Sequence, residues 1–218
     1  MSGPGGRAGD AGLERLLHAI SGCRICRDHP AGGPAYALPH EPRPVCFASA
    51  EAPILIAGQA PGTRVHASGK PFTDPSGDRL RDWLGVDEAR FYDPARFAIV
   101  PMGFCFPGLD AKGSDLPPRR ECAPAWRAEV MAAMPQLKLV LAIGHYAQAW
   151  HLGPLRQKTM TETVRDWRAI LAATEQGVAV LPMPHPSWRN TGWIRKNPWF
   201  ERDLLPELKA RVHALIGG

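Results

Sequence analysis

The sequence predicts an α/β fold: a three-layer α/β/α sandwich around a short, mainly parallel sheet of four strands. Three observations predict it. Four short apolar runs recur along the chain, over residues 53–57, 97–100, 137–143 and 178–181. Helix-like segments separate them, the alternation of a parallel sheet covered on both faces. With 218 residues, 44% of them hydrophobic, the chain is long enough to bury one real core.

Residues 1–10 are rich in glycine and predict a flexible tail, which leaves residues 11–218 as a single domain. Leu13, Leu16, Leu17 and Ile20 have helical spacing and lead directly into Cys23-Arg-Ile-Cys26. Residues 27–52 hold five prolines and predict no regular element. The first strand ends at Gly58, and a helix is expected over 76–84. The second strand is followed by a helix over 123–134, the third by a helix over 146–152, and the fourth by a loop and a helix over 199–216. In such sheets ligands bind beyond the C-terminal strand ends. The loops 58–78, 101–108, 144–145 and 182–190 are therefore expected to converge.

Composition narrows the function classes. Gly 22 and Pro 23 make the chain rich in loops. A net charge of +5 suits a polyanionic partner, though many soluble enzymes carry a similar surplus. Part of it is local: Arg189, Arg195, Lys196, Arg202, Lys209 and Arg211 stand against Glu201, Asp203 and Glu207. No apolar run is long enough for a bilayer and no apolar signal region opens the chain, so a cytoplasmic protein without membrane contact is expected. The five cysteines, an odd number, point to metal ligation or burial rather than to a disulfide framework.

Two loops carry chemistry. The first reads Gly58-Gln59-Ala60-Pro61-Gly62 and continues through Phe72-Thr73-Asp74-Pro75-Ser76-Gly77-Asp78. Its glycines let backbone amides approach a ligand, and the helix near Ser76 offers its N-terminus to an anion; a plain strand-to-helix turn reads the same way. The last loop reads Pro184-His185-Pro186-Ser187-Trp188-Arg189-Asn190. Prolines on both sides of His185 restrict its backbone and aim its ring, although a loop histidine can also be a simple surface residue.

Together these loops resemble the signature of the uracil-DNA glycosylase superfamily, a Gly-x-x-Pro-Gly/Tyr loop after the first core strand and a His-Pro-Ser loop after the last. The resemblance covers about residues 13–215 and includes Val140-Leu-Ala-Ile-Gly144. Cys23-x2-Cys26 and Cys105-x16-Cys122 are similar to the iron–sulfur branches, families four and five. That resemblance implies a structural [4Fe-4S] cluster on Cys23, Cys26, Cys105 and Cys122, with zinc as the rival metal and Cys46 outside the set. The sequence also departs from the family. Gln59 and Ala60 stand where a carboxylate usually activates water, and Pro101 stands where an Asn usually reads uracil.

The resemblance implies a DNA repair enzyme of base excision that hydrolyses the N-glycosidic bond of uracil, or of other deaminated bases, after flipping the base from DNA. Asp74, His185 and Gln59 are the expected catalytic residues. Asp74 would charge the sugar face or position water, His185 would donate to the departing base, and Gln59 would orient water or touch the base. Gly58, Ala60, Pro61, Phe72, Ser187, Arg189 and Asn190 are expected to bind substrate, with Phe72 as the stacking platform and Trp188 or Arg189 filling the gap left in the DNA. Capping of the helix by Asp74, core packing of Phe72 and anchoring of the loop by Trp188 are the ordinary alternatives. No obligate protein partner is implied, and the expected location is the cytoplasm, at the nucleoid. A non-catalytic protein that binds DNA or damaged bases is the competing reading, with an electron-transfer protein or a serine hydrolase further behind.

Overall fold

The structure is a computed structural model that describes residues 8–217. Residues 1–7 of the expected tail lie outside the described residues, and the first helix begins at Ala8. Four strands, β1 (Ile54–Ala57), β2 (Phe97–Ile99), β3 (Leu139–Ile143) and β4 (Ala179–Met183), form one sheet in the order β2-β1-β3-β4. All three pairings are parallel, with Ile54 opposite both Phe97 and Leu139, and Leu139 opposite Ala179. Every strand residue is buried, which is why these runs read as continuously apolar rather than alternating.

Helices α1 (Ala8–Ser21), α2 (Ile25–Asp28), α3 (Thr63–Ser68), α4 (Pro75–Leu84), α5 (Glu88–Phe91), α6 (Cys122–Ala132), α7 (Gly144–Leu152), α8 (Met160–Arg165), α9 (Trp167–Thr174), α10 (Thr191–Lys196) and α11 (Leu205–Ile216) surround the sheet. The pleat divides the core between two faces. Ile54 and Ile56 pack with Leu80 and Leu84 of α4 and Leu208 and Val212 of α11. Leu55 and Ala57 pack with Ile20 of α1, Val130 of α6 and Ala147 of α7. The result is the three-layer sandwich that the alternation predicts. Among the described residues no helix is long and apolar enough to cross a membrane.

Several elements differ from expectation. The helix expected over 199–216 is divided into a π-helical turn, Phe200–Leu204, and α11. Pro206 has no N–H to donate and its ring crowds the preceding turn, so a wider turn takes up the mismatch. Residues 27–52 are less irregular than expected. They hold a tight turn at Pro34–Tyr36, and Phe47 pairs antiparallel with Ile99 at the outer edge of the sheet. Helices α2, α3, α5, α8, α9 and α10 stand where none is expected. For α8 a signal was present: Thr159 and Glu162 form a reciprocal capping box.

One buried cation organises the end of β2. Arg127 is 0% exposed and donates to the carbonyls of Val100 (3.1 Å) and Pro101 (2.9 Å) and to Nε2 of His151 (2.9 Å). Burial lowers Arg127 to about 10. Burial, with the guanidinium beside it, pushes His151 from its ordinary 6.5 down to about 3. In the unfolded chain His151 takes up a proton near pH 6.5; in the fold it refuses one until about pH 3. Stability from this site is therefore lost as pH falls through that window. The urea midpoint is expected to drop between pH 7.5 and pH 4.5, and His151→Gln is expected to shrink that drop. Equal drops in both proteins would show that His151 does not govern the acid limb.

Candidate active site

The strand order places the crossovers from β1 and from β3 on opposite sides of the sheet, which opens a crevice beyond the carboxyl ends of the strands. A cavity of about 360 Å³ lies there. The first loop supplies Gly58, Gln59, Ala60, Pro61, Phe72 and Asp74; the end of β2 supplies Pro101; the last loop supplies His185 and Arg189. Three of the four loops expected to meet do so. Gly144 and His145 do not line the cavity, because α7 starts at Gly144 itself, at φ 79°, and carries the chain away.

Phe72 is the only non-glycine residue with positive φ, 57°, among the described residues. Its carbonyl accepts from Tyr92 Oη (3.1 Å) and Arg81 Nη1 (3.2 Å), and its ring meets Phe91 edge to face at 5.8 Å. Gly77 makes this possible: a Cβ there would stand 1.9 Å from the Phe72 carbonyl oxygen. Two residues after Phe72, Asp74 caps α4. Its Oδ1 accepts from Ser76 Oγ (2.5 Å) and the Gly77 N–H (3.3 Å). The capping role is therefore real, and Oδ2 remains directed by it without being used in it.

His185 is set by its own loop. The Ser187 N–H donates to Nδ1 at 3.2 Å, so Nδ1 is the acceptor and the neutral ring carries its proton on Nε2. Displaced water lowers the His185 pKa, against the opposing pull of Asp74 and Asp115, which favours that neutral form. Asn190 does not reach the cavity; its Nδ2 donates to the His185 carbonyl at 2.7 Å and braces the loop. Ser187 also stands outside the lining, and its carbonyl receives Arg79 Nη1 (3.0 Å), which ties α4 to this loop. Gln59 spends its amide donor on the Leu116 carbonyl at 3.3 Å. Trp188 is 73% exposed beside Arg189, so it does not anchor the loop on the core.

Sequence reasoning missed Asp115. It reaches the cavity from the loop between β2 and α6, opposite Gly62, where its Oδ2 would lie 3.5 Å from an added Cβ. Burial raises its pKa, while Arg189 and His185 pull it down. Nothing in its local sequence marks it, since the loop shares no motif with the residues it faces.

With this geometry in place, one comparison is decisive: the family model of the uracil DNA glycosylase superfamily matches residues 46–209. The chain belongs to that superfamily. Proteins of this superfamily act on DNA as glycosylases, and that assignment extends to this chain at the same coarse level. The match takes in all four strands and both loops that line the cavity, and leaves Cys23 and Cys26 outside it.

Those two cysteines nevertheless meet the other pair in the glycosylase fold. Cys23, Cys26, Cys105 and Cys122 line one small void with Pro42, Pro44 and Leu38, and the Phe104 N–H donates to Cys122 Sγ at 3.3 Å. Burial pushes the thiols up, Cys105 to about 11 and Cys122 to about 12. Among the described residues no three His, Cys, Asp or Glu side chains are grouped as ligands of a single metal ion. Cys46 is half-buried and lies outside the void.

The Phe72–Gly77 contact gives a direct test. Gly77→Ala is expected to lower stability by about 1–3 kcal/mol, the range for a forced backbone clash, and to lower base release with it. Thermal unfolding of the variant beside the native protein checks this, and an unchanged melting temperature would mean that the turn relaxes freely.

Proposed function

We propose that this protein is a DNA glycosylase of base excision repair that hydrolyses the N-glycosidic bond of uracil, or of another deaminated base, flipped into the cavity. The observation that carries the reading is His185, held by the Ser187 N–H with its Nε2 proton free at the cavity wall.

The chemistry follows from charge. The bond between base and sugar breaks with its electron pair leaving on the base, so the base becomes an anion and the sugar a cation. Nε2–H of His185 donates to the developing base anion; one such preorganised donor is typically worth ~3 kcal/mol of barrier. Phe72 stacks against the base. Asp74, aimed by its cap, holds the attacking water through Oδ2 and accepts its proton as the water oxygen bonds to the anomeric carbon. The base is then protonated by solvent. Arg189 grips phosphate, and exposed Trp188 fills the gap in the duplex.

Cys23, Cys26, Cys105 and Cys122 would hold a [4Fe-4S] cluster. The four thiols line one void, and four thiolates are the ligand set of such a cluster. When bound, the group supplies a cross-link between the chain after α1 and the loop between β2 and α6. Cys23→Ser is expected to remove visible absorbance and lower the melting temperature; a protein with both unchanged has no such cluster.

One observation favours a second reading. Gln59 and Ala60 leave the segment 58–62 without a carboxylate and Pro101 leaves the cavity without the usual Asn, as a protein that binds damaged bases without cleaving them would have it. Release of base from a duplex carrying one uracil separates the two. Native protein is expected to release it, and Asp74→Ala and His185→Ala each to slow release by ~100-fold or more. Binding without release on any deaminated base would establish the second reading.

A further inference from the structure

We infer that Asp115 is a second catalytic carboxylate of this site, which adds negative charge at the sugar face beside that of Asp74, where the segment 58–62 brings none. The inference rests on the glycosylase reading. The segment 58–62 brings no carboxylate to the cavity, since Gln59 and Ala60 stand there. Two carboxylates line the cavity, those of Asp74 and Asp115. Asp74 has one oxygen occupied by the cap of α4. Asp115 lies against Gly62, its Oδ2 3.5 Å from where a Cβ there would stand, and among the described residues its carboxylate carries no hydrogen bond. Both carboxylates and His185 line the one cavity. A nucleotide whose base meets Nε2 of His185 would have its sugar in a space that both acidic groups border.

The loop that carries Asp115 is built to hold it still. Asp110 Oδ1 accepts from the Lys112 N–H (2.8 Å) and the Ser114 N–H (2.9 Å). Asp115 itself pairs antiparallel with Leu109. The Leu116 N–H donates to Gly108 at 2.9 Å, and the Leu116 carbonyl takes the Gln59 amide. Every neighbour of Asp115 in sequence is thus fixed, and its side chain alone is uncommitted. A charge fixed in advance beside a developing cation lowers the barrier without reorganisation, more strongly where water is partly excluded. Asp115 exchanges no proton in this role. Its charge opposes the positive charge that builds on the sugar while the pair of bonding electrons departs with the base.

The test is single-turnover base release by native protein, Asp115→Asn and Asp115→Glu on a uracil-containing duplex, with DNA affinity and melting temperature measured alongside. Asp115→Asn is expected to slow release by ~100-fold, the scale for one catalytic group. Its DNA affinity should be equal or tighter, since a negative charge has left a phosphate-facing cleft, and its melting temperature should be unchanged. Asp115→Glu is expected to recover part of the rate. Release by Asp115→Asn within threefold of native would overturn the inference while leaving the glycosylase reading intact. A fall in rate matched by falls in melting temperature and DNA affinity would make the residue structural and overturn it as well. Native protein that releases no base overturns the glycosylase reading, and this inference with it.

Discussion

The structure depends on one constraint: four short strands buried on both faces must all run in the same direction. Parallel neighbours cannot be joined by hairpins, so each connection crosses back over the sheet as helix and loop. The carboxyl ends of all four strands then lie along one rim, and β1, flanked by β2 and β3, sits where the crossovers part. The cavity is the space left at that point. Arg127 secures the weakest corner, since β2 is only three residues long. By gripping the carbonyls of Val100 and Pro101 from beneath, it gives the end of β2 hydrogen bonds that the sheet does not provide.

Much of this was legible from the chain. Strands buried on both faces leave continuous apolar runs, and such runs cannot be hidden by local chemistry. Phe72, Asp74, His185 and Arg189, which line the cavity, could also be picked out. The loop of His185 and Arg189 follows β4 directly, and Phe72 and Asp74 lie just before α4, in the crossover after β1. What remained unread depends on distance along the chain. Asp115 comes to the cavity through a bridge to Leu109 and the turn around Asp110, and neither has a sequence pattern that names a destination. Asn190 and Ser187 show the reverse. Their motif placed them in the right loop, yet hydrogen bonds to His185 and Arg79 turned them to bracing it.

The four cysteines give that missed loop its frame. Cys105 opens it and Cys122 begins α6 at its far end, and both face the void that Cys23 and Cys26 close. The chain after α1 thereby abuts the ends of the loop that presents Asp115, while Gln59 holds the same loop at Leu116. Structure on the outer side of the molecule and chemistry on the rim share one stretch of backbone.

The two walls of the cavity differ in how much change they can absorb. On the Phe72 side, a left-handed backbone, two hydrogen bonds to one carbonyl and a glycine with no room for a single added carbon leave no slack. Gly113 lines the same cavity with nothing within 4 Å of an added Cβ, although its positive φ still favours glycine. Added bulk would therefore be absorbed at Gly113, the tip of its loop, whereas the turn at Phe72 and Gly77 would refuse it.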